Sequence, residues 1–398
     1  MSEKYYNLYL EIKRSSFIFY IEEKDDQNNS KINYKFAVPA IGIEDNKISD
    51  FENFFDTIKK NIYIAEQNQK CTFKEIVLIL DYFNTSFVNL TGYKKLNGSQ
   101  ILRENITYIL NTLKFYVDEI ESKKTILHIF NSKFSLDYKK IENPPIGLFG
   151  DFYSHELSFS LIDKNDYKNL QNLFEKCNLR IKKILLKSFI KGVFLSEKYL
   201  DLDTFYFIEV DTNSSRVFYF ENNCLKFEQS FKFGFDIILR DISKITLLKK
   251  EFIEKILEQV EFDENISDEE LVEKELFEDG NYKKIKKKLI FEIAKARIVE
   301  TLELIILKNI NFKHYNKTSK TVFFQFNEAF NFKSIRETYK ATLFQKGIID
   351  TRYLNELSHD NTVDTANKLV HFGWKKEVIP FTKTKKSLIA RFFSAIFE

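Results

Sequence analysis

A chain of 398 residues is longer than one ordinary domain and fits two or three. Hydrophobic residues at 44% and charged residues at 30% provide both a core and a solvated surface, which excludes wholesale disorder. The 61 basic and 58 acidic side chains nearly cancel, to +3, so the electrostatic footprint of a nucleic-acid binder is missing.

Nine of the basic residues are Arg and the rest Lys. Phe reaches 42 and Tyr 20, against 10 Gly and 4 Pro. This bias looks like that of an AT-rich coding sequence. It makes each remaining glycine informative, because a position that needs φ > 0 or close backbone approach resists such drift. Cys71, Cys177 and Cys224 lie far apart without a CxxC pair, which predicts buried thiols in a reducing compartment. No apolar run reaches ten residues, so no transmembrane helix is expected, and the first residues lack the zones of a signal peptide.

Alternating apolar residues predict strands over 5–12 and 17–21, joined by a tight KRSS connection, and a third strand over 34–41. Phe51, Phe54, Phe55, Ile58 and Ile62 have helical spacing. Residues 75–80 (EIVLIL) read as a strand buried on both faces. A new unit starts near residue 82, with a helix over 100–113, a strand over 125–130, a Pro-Gly turn at 143–147 and a strand over 156–161. A helix over 166–176 and a strand over 181–186 follow. Residues 205–210 (FYFIEV), 217–220 and 225–231 repeat the opening pattern of strand, polar turn and strand, which predicts an internally duplicated α/β protein. Residues 241–260 read as mostly helical, and 261–278 as an acidic solvated segment. A long helix with a basic start (KKIKKK) is predicted over 283–309, and a buried strand over 321–326. Residues 355–384 turn polar and lose periodicity, as a linker does. The five histidines (128, 155, 314, 359 and 371) are scattered without ligand spacing and predict no metal site, and Trp374 reads as a linker or interface residue.

The end of the chain differs. On a helical wheel, Leu388, Ile389, Phe392, Phe393, Ile396 and Phe397 fill one half, with Ser387, Arg391, Ser394 and Glu398 opposite. Six Lys/Arg, Lys385 and Lys386 among them, stand against one Glu over 375–391, which is +5. This predicts an interfacial helix on an anionic membrane surface. The competing readings are a helix docked on the protein's own core and a helix that meets a partner.

Several segments together resemble the bacterial cell-division FtsA family of the actin-like ATPase superfamily. They are 125–162, through His128, Asp137, Pro145, Gly147, Gly150 and His155; FYFIEVDTNSSRVFYF at 205–220; FKFGFDIILRDISK at 231–244, through Gly234, Asp241 and Ile242; AKARIVETLELI at 294–305; and the basic amphipathic terminus. Their order and spacing carry the resemblance. It implies an actin-like (ribonuclease H-like) duplicated two-domain fold with an inserted α+β module. The first subdomain would span 1–81 and 161–203, the inserted module 82–160, the second subdomain 204–240 and 313–354, and a peripheral subdomain 241–312. A linker over 355–383 would precede a membrane-targeting helix over 384–398. By the same resemblance the chain would tether FtsZ filaments to the cytoplasmic face of the inner membrane at the division site, self-associate into protofilaments and recruit other division proteins. Lys286, Lys295 and Arg297 would meet the FtsZ C-terminal tail. The membrane contact would use Lys385, Lys386, Leu388, Ile389, Arg391, Phe392, Phe393, Ile396 and Phe397.

The superfamily holds ATP and Mg²⁺ with two Asp-X-Gly turns, whose backbone amides approach the phosphates closely. Here the first turn falls at Glu11, Lys13 and Ser15, the second at Glu209, Ser214 and Ser215, and the adenosine side at Gln325. None of the three loops contains a glycine. Two readings stay open: an altered nucleotide site, or a vestigial one with no enzymatic turnover. Two other members of the superfamily compete with the division adaptor, namely an active ATPase or sugar kinase, and the pilus-assembly actin relative that binds an inner-membrane partner.

Overall fold

The structure, a computed structural model, describes residues 5–24, 30–81, 83–259, 267, 269–277, 282–312, 321–330 and 332–378. The alternating start forms β1 (Tyr5–Ile12) and β2 (Ser16–Lys24), an antiparallel hairpin whose turn is closed by the Lys13 N–H donating to the Ser16 carbonyl at 2.9 Å. β3 (Ser30–Pro39) extends this hairpin. The short strands β4 (Ile43–Glu44) and β5 (Lys47–Ile48) lead into α1 (Phe51–Gln69), capped by the Asp50 side chain, which accepts from the Asn53 N–H. Helical spacing buries Phe54, Ile58, Ile62 and Ala65. β6 (Glu75–Leu80) lies parallel to β1, and its apolar run is buried almost throughout.

The inserted module comes next. It comprises β7 (Thr85–Lys95), α2 (Arg103–Ile120), β8 (Lys124–Leu136), β9 (Lys139–Ile141) and β10 (Phe152–Asp163). Its antiparallel sheet has the order β7-β10-β8-β9, and it owns a separate core that includes Ile109, Leu113, Tyr153 and Phe159. The chain returns through α3 (Lys164–Lys176), β11 (Arg180–Leu186), which pairs parallel with β6, and α4 (Lys187–Lys198).

The second half opens with the antiparallel strands β12 (Phe205–Val210), β13 (Ser215–Glu221) and β14 (Cys224–Phe231). The peripheral helices α5 (Asp236–Thr246), α6 (Lys250–Gln259) and α7 (Lys287–Leu302) follow. β15 (Thr321–Phe326) then pairs parallel with β12, α8 (Lys333–Gln345) crosses over, and β16 (Asp350–Tyr353) pairs parallel with β15. The two sheets, β11-β6-β1-β2-β3 and β14-β13-β12-β15-β16, follow one path read in opposite directions. In each, the first strand of a meander is flanked by a later parallel strand, which carries another. The duplication expected from the sequence is therefore present in the topology.

Residues 355–383 are not a linker throughout. Their first part forms α9 (His359–His371), which is capped by Ser358 and buries Val363, Ala366 and Leu369 in the core of the first half. The apolar stripe is narrow and is built partly on Thr362, Thr365 and Ala366, so its period is faint in the sequence. Beyond it, the Trp374 indole N–H donates to the Asn223 carbonyl at 2.8 Å. Residues 376–378 lie along β8, where the Asn131 N–H donates to the Lys376 carbonyl and the Val378 N–H to the Ile129 carbonyl, each at 2.7 Å. Two helices also differ from their predicted bounds. The stretch 241–260 breaks at Leu247, where φ is +59°. The basic start at 283–286 precedes α7 rather than opening it, and past Leu302 the helix widens into a π turn over Glu303–Leu307.

No helix is predicted at 187–198 because α4 has no polar face to set a period. Nine of its residues are buried, Lys187 and Lys191 among them. Its Gly192 approaches β13 so closely that a Cβ would collide with the Phe220 ring. A Gly192→Ala change would gain ~1 kcal/mol of helix propensity, but overpacking costs ~1–3 kcal/mol, so the clash decides the sign. Gly192→Val, with its larger clash, is expected to lower the urea midpoint clearly. An unchanged midpoint would mean that helix and sheet do not approach as described.

Candidate functional site

Each half brings one hairpin turn to the interface between the halves. Lys13, Arg14 and Ser15 join β1 to β2. Residues 211–214 join β12 to β13, with the Asp211 N–H donating to the Ser214 carbonyl at 2.9 Å. Near the ends of the two leading strands, Glu11 and Glu209 are buried. α4 runs between them with Lys187 and Lys191 one helical turn apart, hence on one face. Lys187 Nζ lies 3.0 Å from Glu11 Oε1 and donates to Thr362 Oγ1 at 2.9 Å. Lys191 forms an ion pair with Glu209 and donates to Gln325 Oε1 at 3.3 Å. The centre is Arg216, 1% exposed. Its Nη1 is 2.6 Å from Asp81 Oδ1 and 3.3 Å from Glu228 Oε1, and its Nε donates to Glu209 Oε2 at 2.6 Å. Asp81 follows β6 in the first half and Arg216 lies on β13 in the second, so this pair spans the two. The Tyr20 hydroxyl donates to Glu11 Oε2 at 2.6 Å and sits 2.8 Å from His359 Nδ1, which ties α9 to the same cluster.

Burial sets the cost of this arrangement, and charge pairing offsets it. Desolvation alone would raise the Asp81 carboxyl, but Arg216, Lys191 and Lys187 hold it at about 2. Glu209 is likewise held low against its burial by Arg216 and Lys191. Burial pushes Glu228 up, with Arg216 and a hydrogen bond from Ser188 pulling back. Burial also lowers Lys187, opposed by Glu11. Three cations thus face four carboxylates, and Glu228 takes up a proton more readily than Asp81 or Glu209.

Two candidates of the first turn, Lys13 and Ser15, lie outside these ion pairs. Lys13 reaches outward to Glu356 at 2.7 Å, and Ser15 is exposed. Glu11, Glu209 and Gln325 are brought into the cluster. Ser214 and Ser215 are buried beside it, and the Ser215 hydroxyl has no hydrogen-bond partner among the described residues. The second turn faces α5. The Phe235 and Asp236 N–H groups donate to the carbonyls of Asp211 and Thr212 at 2.8 and 2.9 Å, and a Cβ on Gly234 would strike the Asp211 carbonyl. Gly234 therefore serves close packing of the turn. The oxygens of Glu11 and Glu209 already meet Lys187, Tyr20, Lys191 and Arg216, the helix N–H groups that could meet phosphate are used on the turn, and no glycine opens either loop.

Lys187, Lys191, Asp81, Arg216 and Glu228 were missing from the candidates read from sequence. A signal for two of them exists, since Lys187 and Lys191 stand four apart inside an otherwise apolar stretch. Arg216, one of nine arginines, precedes the apolar run VFYF. At the peripheral helices, Arg297 is paired with Asp241 and Glu300, so an incoming peptide carboxylate would have to displace them. Lys295 lies over the Phe291 ring, and Lys286 bridges to Leu271 through its backbone. Lys385, Lys386, Leu388, Ile389, Arg391, Phe392, Phe393, Ile396 and Phe397 lie outside the described residues. Among the described residues no helix is long and apolar enough to cross a membrane, and no group of three or more His, Cys, Asp or Glu is placed to hold a metal ion.

No protein-family model matches the chain. It is similar to the cell division protein FtsA of Buchnera aphidicola subsp. Baizongia pistaciae (strain Bp), at 23% identity over 274 residues, which is 67% of this chain and 63% of that protein. The chain thus spans just under two thirds of the length of the curated relative it matches. Among solved structures it is similar to the PilM-PilN type IV pilus biogenesis complex, at 8% identity and a TM-score of 0.51, covering 92% of this chain and 95% of that one. The duplicated topology with its inserted module is the actin-like fold.

Proposed function

We propose that this chain, a divergent relative of FtsA with an actin-like fold, is a cell-division adaptor that tethers FtsZ filaments to the cytoplasmic face of the membrane and works without a nucleotide cycle. The similarity to FtsA along 274 residues carries the reading. Two features support it: the basic amphipathic pattern at 384–398, and a body whose halves are joined by buried ion pairs. A tether transmits force between polymer and lipid and needs a rigid connection more than turnover. The test is co-sedimentation of the full chain with vesicles containing phosphatidylglycerol. Phe392→Glu with Phe393→Glu is expected to abolish binding, because a charge on the apolar face must otherwise enter the lipid boundary. Undiminished binding would end the tether. Self-association and recruitment of other division proteins belong to the same proposal.

The match to the pilus complex supports a second reading, a pilus-assembly protein that binds an inner-membrane partner. Capture of an FtsZ tail peptide by the full chain separates the two, and failure to capture it favours the second.

Nucleotide is expected to leave the protein's stability unchanged. A ligand at 100 times its Kd adds about 2.7 kcal/mol to the folded state, which for a protein of this size is a shift of a few degrees. Millimolar Mg-ATP should leave the melting temperature where it was. A reproducible rise of two degrees or more would reopen the altered-site reading.

A further inference from the structure

A cleft of about 1720 Å³ separates α2 of the inserted module from α3 and β11 of the first half. Its walls include Ile106, Leu110, Ile126, Leu127, Ile129 and Ile181, all half-buried, and its rim carries charges of both signs. The chain itself runs into this cleft. Glu377 and Val378 line it, and residues 376–378 pair with the open edge of β8 on its wall. Glu377 is clamped there, 2.8 Å from His128 Nδ1 and 2.7 Å from Lys183 Nζ. Val378 packs against the core of the inserted module. A ladder continued along β8 in the same register would meet a proline at 380, which has no N–H to donate.

We infer that this cleft is the resting seat of the chain's own C-terminal segment, residues 384–398, so that cleft and lipid compete for one apolar face. Continuity carries the choice of occupant. Leu388 is ten residues beyond Val378, a span of up to ~33 Å, and fifteen residues of helix measure ~22 Å, so the segment reaches every wall. Its apolar half, Leu388, Ile389, Phe392, Phe393, Ile396 and Phe397, matches the half-buried isoleucines and leucines. The inference rests on the membrane-tether reading for its competitor and supplies that reading's control. A latch that is closed nine-tenths of the time weakens the apparent membrane affinity about tenfold.

Amide exchange on the full chain tests it. In solution, the segments around 106–110 and 126–129 should be protected, and Phe392→Glu with Phe393→Glu should remove that protection. Vesicles of phosphatidylglycerol and phosphatidylethanolamine should remove it as well. Leu110→Glu should raise vesicle affinity by about tenfold. If that variant does not fold, the exchange experiment on the unaltered chain still decides. Exchange at 106–110 and 126–129 that is indifferent to the tail substitutions overturns the latch while leaving the tether intact. Tail protection that persists with vesicles, without vesicle binding, supports the seat and overturns the tether. Protection that grows with protein concentration means that a second copy fills the cleft, which also overturns the latch.

Discussion

Replacing Arg216 with Met is expected to cost ~3–5 kcal/mol, the usual loss when one partner of a buried ion network is removed. A folded protein holds only ~5–15 kcal/mol in reserve, so the urea midpoint should fall by about a fifth or more. The size follows from what would remain. Arg216 meets Asp81 and Glu209, both buried, and the half-buried Glu228, and no other described arginine reaches them. Lys191 would still pair with Glu209, but Asp81 would lose its direct partner across the halves. The double change Arg216→Met and Asp81→Asn should recover much of the loss, since a neutral amide replaces the stranded Asp81 charge while Lys191 keeps Glu209. The comparison therefore reads out coupling and not mere bulk. If single and double variants lose the same stability, shape is what matters at 216 and the network carries nothing.

β3 could be read from alternation alone, because its one-sided burial leaves a period of two, whereas β1, β2 and β13 are buried on both faces and show their alternation only in residue type. Strands β6, β12 and β15 were legible as apolar runs for the opposite reason, being covered on both faces. α4 and α9 escaped. α4 is buried nearly all round and so has no period, while α9 covers the core with a stripe too small to register. The same two helices supply Lys187, Lys191, Thr362 and His359 to the interface, so the heart of the candidate site stayed hidden along with them. The acidic halves of its ion pairs, Glu11 and Glu209, could be found because the family resemblance places its two phosphate turns there. Their partners could not be found, because they meet only when the halves come together. Asp81–Arg216 links positions 81 and 216, and neither position reveals the other in a linear pattern.

Acid should open the interface within a definite window. A carboxylate whose folded pKa lies below its unfolded value stabilises the fold fully above the unfolded value, and that stability is lost as pH falls through the folded one. Asp81 sits at about 2 when folded, against ~3.9 in an unfolded chain, so its contribution, on the order of 2 kcal/mol, should drain away between about pH 4 and pH 2. Glu209 and Glu356 are also held low and act in the same direction, whereas Glu228 is raised and acts against them. Burial gives Glu228 its opposite sign. Protonating Asp81 and Glu209 strands Arg216 and Lys191 as buried cations without counter-charge, so the loss should appear as opening between the halves. Urea midpoints measured from pH 7 to pH 2.5 should hold nearly level to about pH 4.5 and then fall steeply. In Asp81→Asn the midpoint should start lower and fall less steeply below pH 4. An equal acid slope in that variant would show that the interface ion pairs do not set the acid limit of the fold.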